Sequence, residues 1–362
     1  MKIAIDGHTL EVENWSGKEQ YLINLLQSLS EEPKEHLYYL YLRKSIDKPG
    51  WLEQSPNFII RQKNLPTPIW HFWFLTDMAR NKIDRLFAPC AYLISSLSLF
   101  VPSVIVIHDL TAFLKISRST HKISLRIKEW LFTYFSCIRA KNIISVSENT
   151  KRDIIKIFKI RPEKITVIYL GHRFQIKEKP EQLHIEPIIL SVGTIEPRKN
   201  IPTIVKVLEC LVSDYPQIPW RLKIIGKIGW KSEGIMENLN KLKNAKEIEI
   251  LGYVTNEELL LIYQQSLCLL YPSIYEGFGL PPLEAMSLGC PVIIADNSSL
   301  PEVIGSAGFK TNCFDYRKME QLVYNLWQDS VLRKKCELAG YEQAKKFNWK
   351  KTAEQTIAVL SS

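Results

Sequence analysis

The chain reads as an α/β protein built from two parallel-sheet domains in series. Short apolar runs of strand length alternate with helical patterns, the mark of βαβ units. The alternation occurs twice, on either side of one polar stretch. A chain of 362 residues with 46% hydrophobic content exceeds the usual size of one core and supplies apolar material for two.

In chain order, the first series of predicted strands is Ile3 to Ile5, Leu37 to Leu42, Phe58 to Arg61, Arg85 to Phe87, Val104 to Ile107, Asn142 to Val146 and Ile165 to Ile168. The second is Ile188 to Val192, Arg221 to Ile225, Ile248 to Leu251, Cys268 to Tyr271 and Pro291 to Ala295. Between them Gly171 to Glu186 is polar, charged and aperiodic, punctuated by Pro180 and followed by Pro187, so the interdomain linker is placed there. The predicted domains are residues 1–175 and 184–345, with 346–362 as a closing helical segment.

Composition narrows the function classes. Seven cysteines are scattered without a C-x-x-C pair, several within apolar runs, and read as buried thiols in a reducing compartment rather than a disulfide or zinc framework. The chain opens on Lys2-Ile-Ala-Ile-Asp6, a short strand rather than a signal peptide, and no segment offers about 18 uninterrupted apolar residues. A cytoplasmic protein is expected. Residues 1–180 carry 27 Lys or Arg against 17 Asp or Glu, a balance of +10, whereas the remainder stands at −1. So local an excess attracts anionic lipid, a polyanion or a phosphorylated acceptor. Nucleic acid is not expected, because no helix-turn-helix, zinc-finger or aromatic RNA-binding signature accompanies it.

The most informative stretch is Glu276-Gly-Phe-Gly-Leu-Pro-Pro-Leu-Glu284, set between two apolar runs and read as strand, loop, helix, strand. Gly277 and Gly279 let the backbone bend and approach a ligand, while Pro281 and Pro282 suit the first turn of a helix that Gly289, Cys290 and Pro291 stop. That helix N-terminus would face the carboxyl edge of a parallel sheet, where such folds hold phosphate. Carboxylates on either side of the anion site suit sugar hydroxyls, and together these features suggest a nucleotide-sugar. A second loop, Gly193-Thr-Ile-Glu-Pro-Arg-Lys-Asn200, follows the strand Ile188 to Val192, and its adjacent Arg198 and Lys199 are suited to neutralising a diphosphate. His108-Asp109 closes the run Val104 to Ile107 and so sits at a strand's carboxyl edge.

The Glu276 to Glu284 spacing resembles the Glu-x7-Glu signature of family 4 glycosyltransferases, retaining enzymes of the GT-B fold. The resemblance extends through Ser191 to Asn200, Ile224 to Trp230, Leu251 to Val254, Asp296 to Glu302 and Phe347 to Ala353, and more thinly through Val106 to Leu110 and Ile144 to Thr150. It implies two Rossmann-like domains facing a cleft, acceptor bound to the first and donor to the second. A last helix, Lys350 to Leu360, would return to the first domain. It further implies Arg198 and Lys199 on the donor phosphates, backbone N–H groups of Phe278, Gly279 and Leu280 on phosphate and sugar, and Glu284 on the ribose hydroxyls. Glu276 would meet the sugar hydroxyls, the Tyr253-Val254 backbone the base, and His108 the transferred sugar. Gly17 matches a loop that relatives often fill with several glycines around the donor phosphates. Thr194 stands where many relatives carry Arg.

The activity implied is transfer of a hexose from a nucleoside-diphosphate sugar to a hydroxyl of a glycan or lipid-linked glycan in surface polysaccharide synthesis. The Gly226 to Trp230 and His108 to Leu110 patterns favour GDP-mannose over UDP-glucose. No metal or other cofactor is expected, since basic side chains and a helix dipole supply the positive charge. Rival classes are a non-catalytic nucleotide-sugar-binding partner subunit and a nucleotide-sugar epimerase of the same fold. Two further segments read in two ways. Phe113 to Asn142 mixes Lys115, Arg118, Lys122, Arg126, Lys128, Arg139 and Lys141 with apolar residues, which suits either a membrane surface or a core helix with a solvated face. Ile69 to Leu75 suits either an acceptor-stacking patch or a buried helix face.

Overall fold

The computed structural model describes residues 1–11, 17–32, 35–46, 49–89, 93–98, 100–113, 123–174, 184–242 and 247–362. Its chain divides into two compact units, Met1–Gly171 with Asn348–Ser362, and His172–Phe347.

The first unit holds strands β1 (Lys2–Asp6), β2 (Leu37–Leu42), β3 (Phe58–Gln62), β4 (Arg85–Ala88), β5 (Ser103–Ile107), β6 (Asn142–Ser145) and β7 (Ile165–Val167). They form one parallel sheet in the order β3-β2-β1-β4-β5-β6-β7. Its helices are α1 (Gly17–Glu31), α2 (Gly50–Glu53), α3 (Thr67–Arg80), α4 (Leu93–Leu97), α5 (Ile123–Arg139) and α6 (Glu148–Phe158). Every residue of β5 is buried, as expected of a central parallel strand covered on both faces. In α3, Trp70 and Phe74 enter the core while Phe72 stays exposed, so the Ile69 to Leu75 cluster is mainly a buried helix face.

The second unit holds β8 (Glu186–Val192), β9 (Arg221–Ile225), β10 (Ile248–Gly252), β11 (Ser266–Tyr271), β12 (Val292–Ala295) and β13 (Phe309–Thr311), parallel and ordered β10-β9-β8-β11-β12-β13. Helices α7 (Ile201–Asp214), α8 (Glu233–Leu242), α9 (Asn256–Gln265), α10 (Leu280–Ser287), α11 (Leu300–Ile304), α12 (Tyr316–Gln328) and α13 (Ser330–Ala344) accompany them. The edge strand β13 was not predicted, because three residues of which one is Lys make no apolar run. Within the stretch read as linker, Phe174 is buried and meets the Tyr263 ring edge-on at 6.3 Å; residues 175–183 lie outside the described residues.

The last helix, α14 (Trp349–Ser361), belongs to the first unit, as the resemblance implied. Asn348 caps it by accepting from the Lys351 N–H at 2.8 Å, and α14 then packs on α1. Thr352 Oγ1 donates to Tyr169 O at 2.8 Å and Arg85 Nε to Leu360 O at 3.0 Å, which fixes both ends of the helix.

The carboxyl ends of β8 and β9 meet backbone to backbone. Gly226 has φ +141°, and a Cβ there would lie 2.1 Å from Gly193 O. Gly226→Ala should therefore destabilise the second unit by at least about 2 kcal/mol, since backbone strain and overlap both oppose it. Urea denaturation of the variant beside the parent measures this, and an unshifted midpoint would show that the close approach is absent.

Candidate active site

In each sheet the strand order reverses once, between β1 and β4 and between β8 and β11, and the loops leaving such a reversal open a crevice at the carboxyl edge. Arg198 and Lys199 lie in the loop after β8, and Glu276 in the loop after β11. Neighbouring strands therefore deliver all three to one point. The loops are joined directly: Arg198 O accepts from Ile274 N at 2.8 Å and from Ser273 Oγ at 3.1 Å. Asn200, in the left-handed region at φ 57°, donates from Nδ2 to Pro272 O and Cys313 O at 3.2 and 2.6 Å.

Glu276 is the centre of the resulting cluster. Its Oε2 accepts from Arg198 Nη1 at 2.6 Å, and its Oε1 from Lys199 Nζ and Ser273 Oγ, each at 2.6 Å, with Tyr271 OH at 3.0 Å. Arg198 also donates from Nε and Nη2 to Glu196 Oε1 at 3.0 and 2.6 Å, and from Nη1 to Tyr275 O at 2.9 Å. Burial pushes the Glu276 pKa up, but the charges of Arg198 and Lys199 and the bonds from Lys199 and Ser273 outweigh it and hold the value down at about 2. Burial pushes the Lys199 pKa down against the attraction of Glu276.

Arg198 and Lys199, expected on the donor phosphates, are here paired with two carboxylates, Arg198 with both Glu196 and Glu276 and Lys199 with Glu276. Glu276 itself is buried, and its removal would leave the partly buried Arg198 and Lys199 without their shared carboxylate.

Three consecutive side chains after β12 hold the loop from the other side. Asn297 Nδ2 donates to Ser273 O at 3.2 Å, Ser298 Oγ accepts from Glu276 N at 3.0 Å, and Ser299 Oγ donates to Phe278 O at 2.6 Å. Gly279 precedes α10 at φ +122°, with Leu300 so close that a Cβ would lie 2.9 Å from its Cδ2. Leu280 opens α10, and Phe278 is buried against the Phe347 ring. One turn into α10, Glu284 is paired with Arg173, Nε to Oε1 at 2.8 Å, with Tyr263 OH at 3.3 Å from Oε2. Tyr253 and Val254 follow β10, the Tyr253 side chain exposed.

Gly17 and His108 form a separate group in the first unit. Gly17 is the first residue of α1; its preceding loop, residues 12–16, lies outside the described residues. His108, at the end of β5, is buried edge-on against the Tyr21 ring of α1 at 4.7 Å. Its Nε2 lies 2.8 Å from Pro89 O; a carbonyl can only accept, so Nε2 carries the proton. Burial, reinforced by the charge of Lys18, brings the His108 pKa down to about 4.

The description "Glycosyl transferases group 1" matches residues 172–343 and "Glycosyltransferase Family 4" matches residues 15–173. The chain is a family 4 glycosyltransferase of the group 1 type. The O-antigen chain mannosyltransferase B of Escherichia coli is 33% identical over 228 residues, covering 60% of either protein. The Salmonella typhimurium O-antigen chain mannosyltransferase RfbU is 28% identical over 66% of this chain and 65% of its own. The matched region thus spans about two thirds or less of these relatives' length. Among solved structures, Anabaena HepE in complex with UDP-glucose aligns with a TM-score of 0.76 at 16% identity, over 100% of this chain and 99% of that one. WaaG, involved in lipopolysaccharide biosynthesis, aligns at 0.75 and 14% over 99% and 100%. Likeness at such identities is one of fold, GT-B.

Sequence reasoning missed several site residues of this glycosyltransferase. Glu196 and Ser273 stood inside or beside the quoted loops and carried a signal only in retrospect: a buried carboxylate needs donors, and a buried arginine needs acceptors. Arg173 lies in the stretch read as linker, 111 positions from Glu284, and nothing local marks it.

The lowered His108 pKa has a definite sign for stability. Between about 4 and the ordinary 6.5, the unfolded chain binds a proton that the folded glycosyltransferase does not. Stability therefore rises with pH across that window and is lost as pH falls from 6.5 to 4, by up to about 3 kcal/mol. His108→Gln keeps a donor for Pro89 O without the titration. Its melting temperature should fall less than the parent's over this range, and parallel curves would refute the assignment.

Proposed function

We propose that this glycosyltransferase moves a hexose, with retention of configuration, from a nucleoside-diphosphate sugar to a hydroxyl of a glycan or lipid-linked glycan in surface polysaccharide synthesis. GDP-mannose is the favoured donor and UDP-glucose the next. The observation that carries the reading is the Arg198–Glu276–Lys199 cluster at the strand reversal of the second unit, eight residues ahead of Glu284. The mannosyltransferase relatives favour mannose. The likeness to a structure holding UDP-glucose supports a nucleotide-sugar in this fold.

In this mechanism Glu276 orients sugar hydroxyls and does not take a proton, since an anion held at a pKa of about 2 is a poor base. As the bond to the leaving diphosphate breaks, Arg198 and Lys199 swing part of their hydrogen bonding from the carboxylates to the developing phosphate charge, joined by the backbone at Phe278, Gly279 and Leu280. The leaving phosphate accepts the acceptor's proton on the same face. Glu284 meets the ribose hydroxyls, the Tyr253-Val254 backbone the base, and neutral His108 the transferred sugar. No metal takes part.

Released nucleotide, followed across a panel of nucleotide-sugars, tests the donor. Arg198→Ala and Lys199→Ala should each weaken nucleoside-diphosphate binding about ten-fold or more, a charge-assisted bond being worth roughly 1.5 to 3 kcal/mol. Glu276→Gln should both abolish transfer and lower the melting temperature. Turnover unchanged by all three substitutions would sink the reading, and donor binding without nucleotide release from the parent would favour the non-catalytic partner subunit.

The same proposal places the enzyme on the inner face of a membrane, and α5 supports it. The helix turns its small and polar residues Thr133, Ser136 and Cys137 inward and leaves Leu131, Phe135 and Ile138 39%, 46% and 47% exposed. Ile127, Trp130 and Phe132 are also exposed, Phe100 just beyond α4 is 94% exposed, and Lys128 and Arg139 flank the stripe. A solvated helix normally shows the opposite pattern. Lys115, Arg118 and Lys122 lie outside the described residues, as does the Arg126 side chain. Among the described residues no helix is long and apolar enough to cross a membrane. The protein should co-sediment with vesicles containing anionic lipid and come off as salt is raised, with a Debye length of roughly 8 to 10 Å setting the range. Phe132→Ser with Phe135→Ser should abolish sedimentation while sparing nucleotide release; undiminished sedimentation would remove α5 from the interface.

A further inference from the structure

Nothing local in the sequence marks Arg173, and the mechanism above leaves it without a task. It lies just inside the second unit and lays its guanidinium edge along the Glu284 carboxylate, Nε to Oε1 at 2.8 Å and Nη2 to Oε2 at 3.2 Å. The third nitrogen, Nη1, donates to Asn256 Oδ1 at 2.9 Å at the start of α9, two residues beyond Tyr253-Val254. The guanidinium stands over the Phe174 ring at 4.9 Å, and that ring packs on Tyr263. Nη1 and Nη2 are hydrogen-bonded, Nε is at ion-pair distance from the carboxylate, and Phe174 covers one face of the guanidinium.

A carboxylate offers about four acceptor positions. Arg173 Nη2 takes one and Tyr263 OH a second, both on Oε2, while Nε stands at ion-pair distance from Oε1 and leaves that oxygen with open acceptor positions. Glu284 is only 5% exposed, so without its guanidinium partner the charge would be buried and uncompensated.

We infer that Arg173 is the positioning residue for ribose recognition: it fixes the Glu284 carboxylate in one orientation so that its open acceptor positions read a ribose hydroxyl of the donor nucleotide. The inference rests on the reading that Glu284 meets the ribose. It assigns Arg173 to discrimination between ribose and a sugar lacking those hydroxyls, not to phosphate binding or to the transfer step.

Calorimetry on the full chain with GDP and 2′,3′-dideoxy-GDP tests it, with UDP and its dideoxy analogue used instead if the donor panel selects uridine. The parent should bind GDP about ten-fold or more tightly than the dideoxy nucleotide, as loss of a hydrogen bond to a charged group predicts. Glu284→Gln should erase most of that ratio. Arg173→Met should weaken GDP about ten-fold, leave the dideoxy nucleotide within about two-fold, and so bring the ratio close to one. A merely structural role would weaken both nucleotides alike and keep the ratio, which would overturn the inference while leaving Glu284 on the ribose. A parent that does not discriminate would instead remove Glu284 from the ribose and the inference with it. Should Arg173→Met fail to fold, Arg173→Lys retains a cation for the buried carboxylate but loses the planar fork, and the same ratio is read from it.

Discussion

A buried carboxylate between two partly buried cations governs the second unit. Glu276 stays ionised in its buried position because Arg198 and Lys199 each stand 2.6 Å from its carboxylate, and Arg198 is held in turn by Glu196. Each member costs desolvation that these pairings offset. The loop after β8 and the loop after β11 are consequently one structure, cross-linked by charge and by the bonds of Ser273 Oγ and Ile274 N to Arg198 O.

Other features follow from holding that cluster still. Asn297, Ser298 and Ser299 clamp the loop backbone from the β12 side, and Asn200 closes the β8 side. Gly279 takes a positive φ where side chains rarely go, which lets α10 start close to Leu300 and carry Glu284 to a second ion pair with Arg173. Two buried carboxylates eight residues apart therefore stand in different electrostatic settings. Glu276 pairs with two cations, one of which it shares with Glu196, while Glu284 has one guanidinium and a phenol. On the proposed reading, a site for a nucleotide-sugar gains from this division, with the cation-rich pairings at one end and the Glu284 carboxylate at the other.

The first unit is organised by hydrophobic cover rather than by charge. Its sheet is buried on both faces, α14 is bound back onto α1, and His108 is kept neutral inside that packing. Its charge excess is expressed at the surface, where α5 reverses the usual amphipathic order and presents aromatic and aliphatic side chains outward.

Twelve strands were legible in the sequence because continuous apolar runs bounded by turn residues have few other uses, and the thirteenth was not because Phe309–Thr311 is too short and too polar to show a period. The start of α10 was legible from two glycines followed by two prolines, whose backbone requirements are local. The site residues Arg198, Lys199, Glu276 and Glu284 were named from loop position and spacing, yet their mutual arrangement was not. That Glu276 is shared by Arg198 and Lys199, that Glu196 neutralises part of the pair, and that Arg173 reaches Glu284 depend on strand order and on contacts across 77, 78 and 111 positions. α5 shows the same division: its apolar and basic content is written in the chain, but which face turns outward is decided by what the rest of the unit leaves to bury. The sequence by itself determined the elements, the two sheets and the chemical types at the loop ends, since these rest on local backbone preference and burial period. The partners of each buried charge were decided only by the tertiary structure, because electrostatic energy in a low-dielectric interior depends on ångström distances that no spacing along the chain encodes.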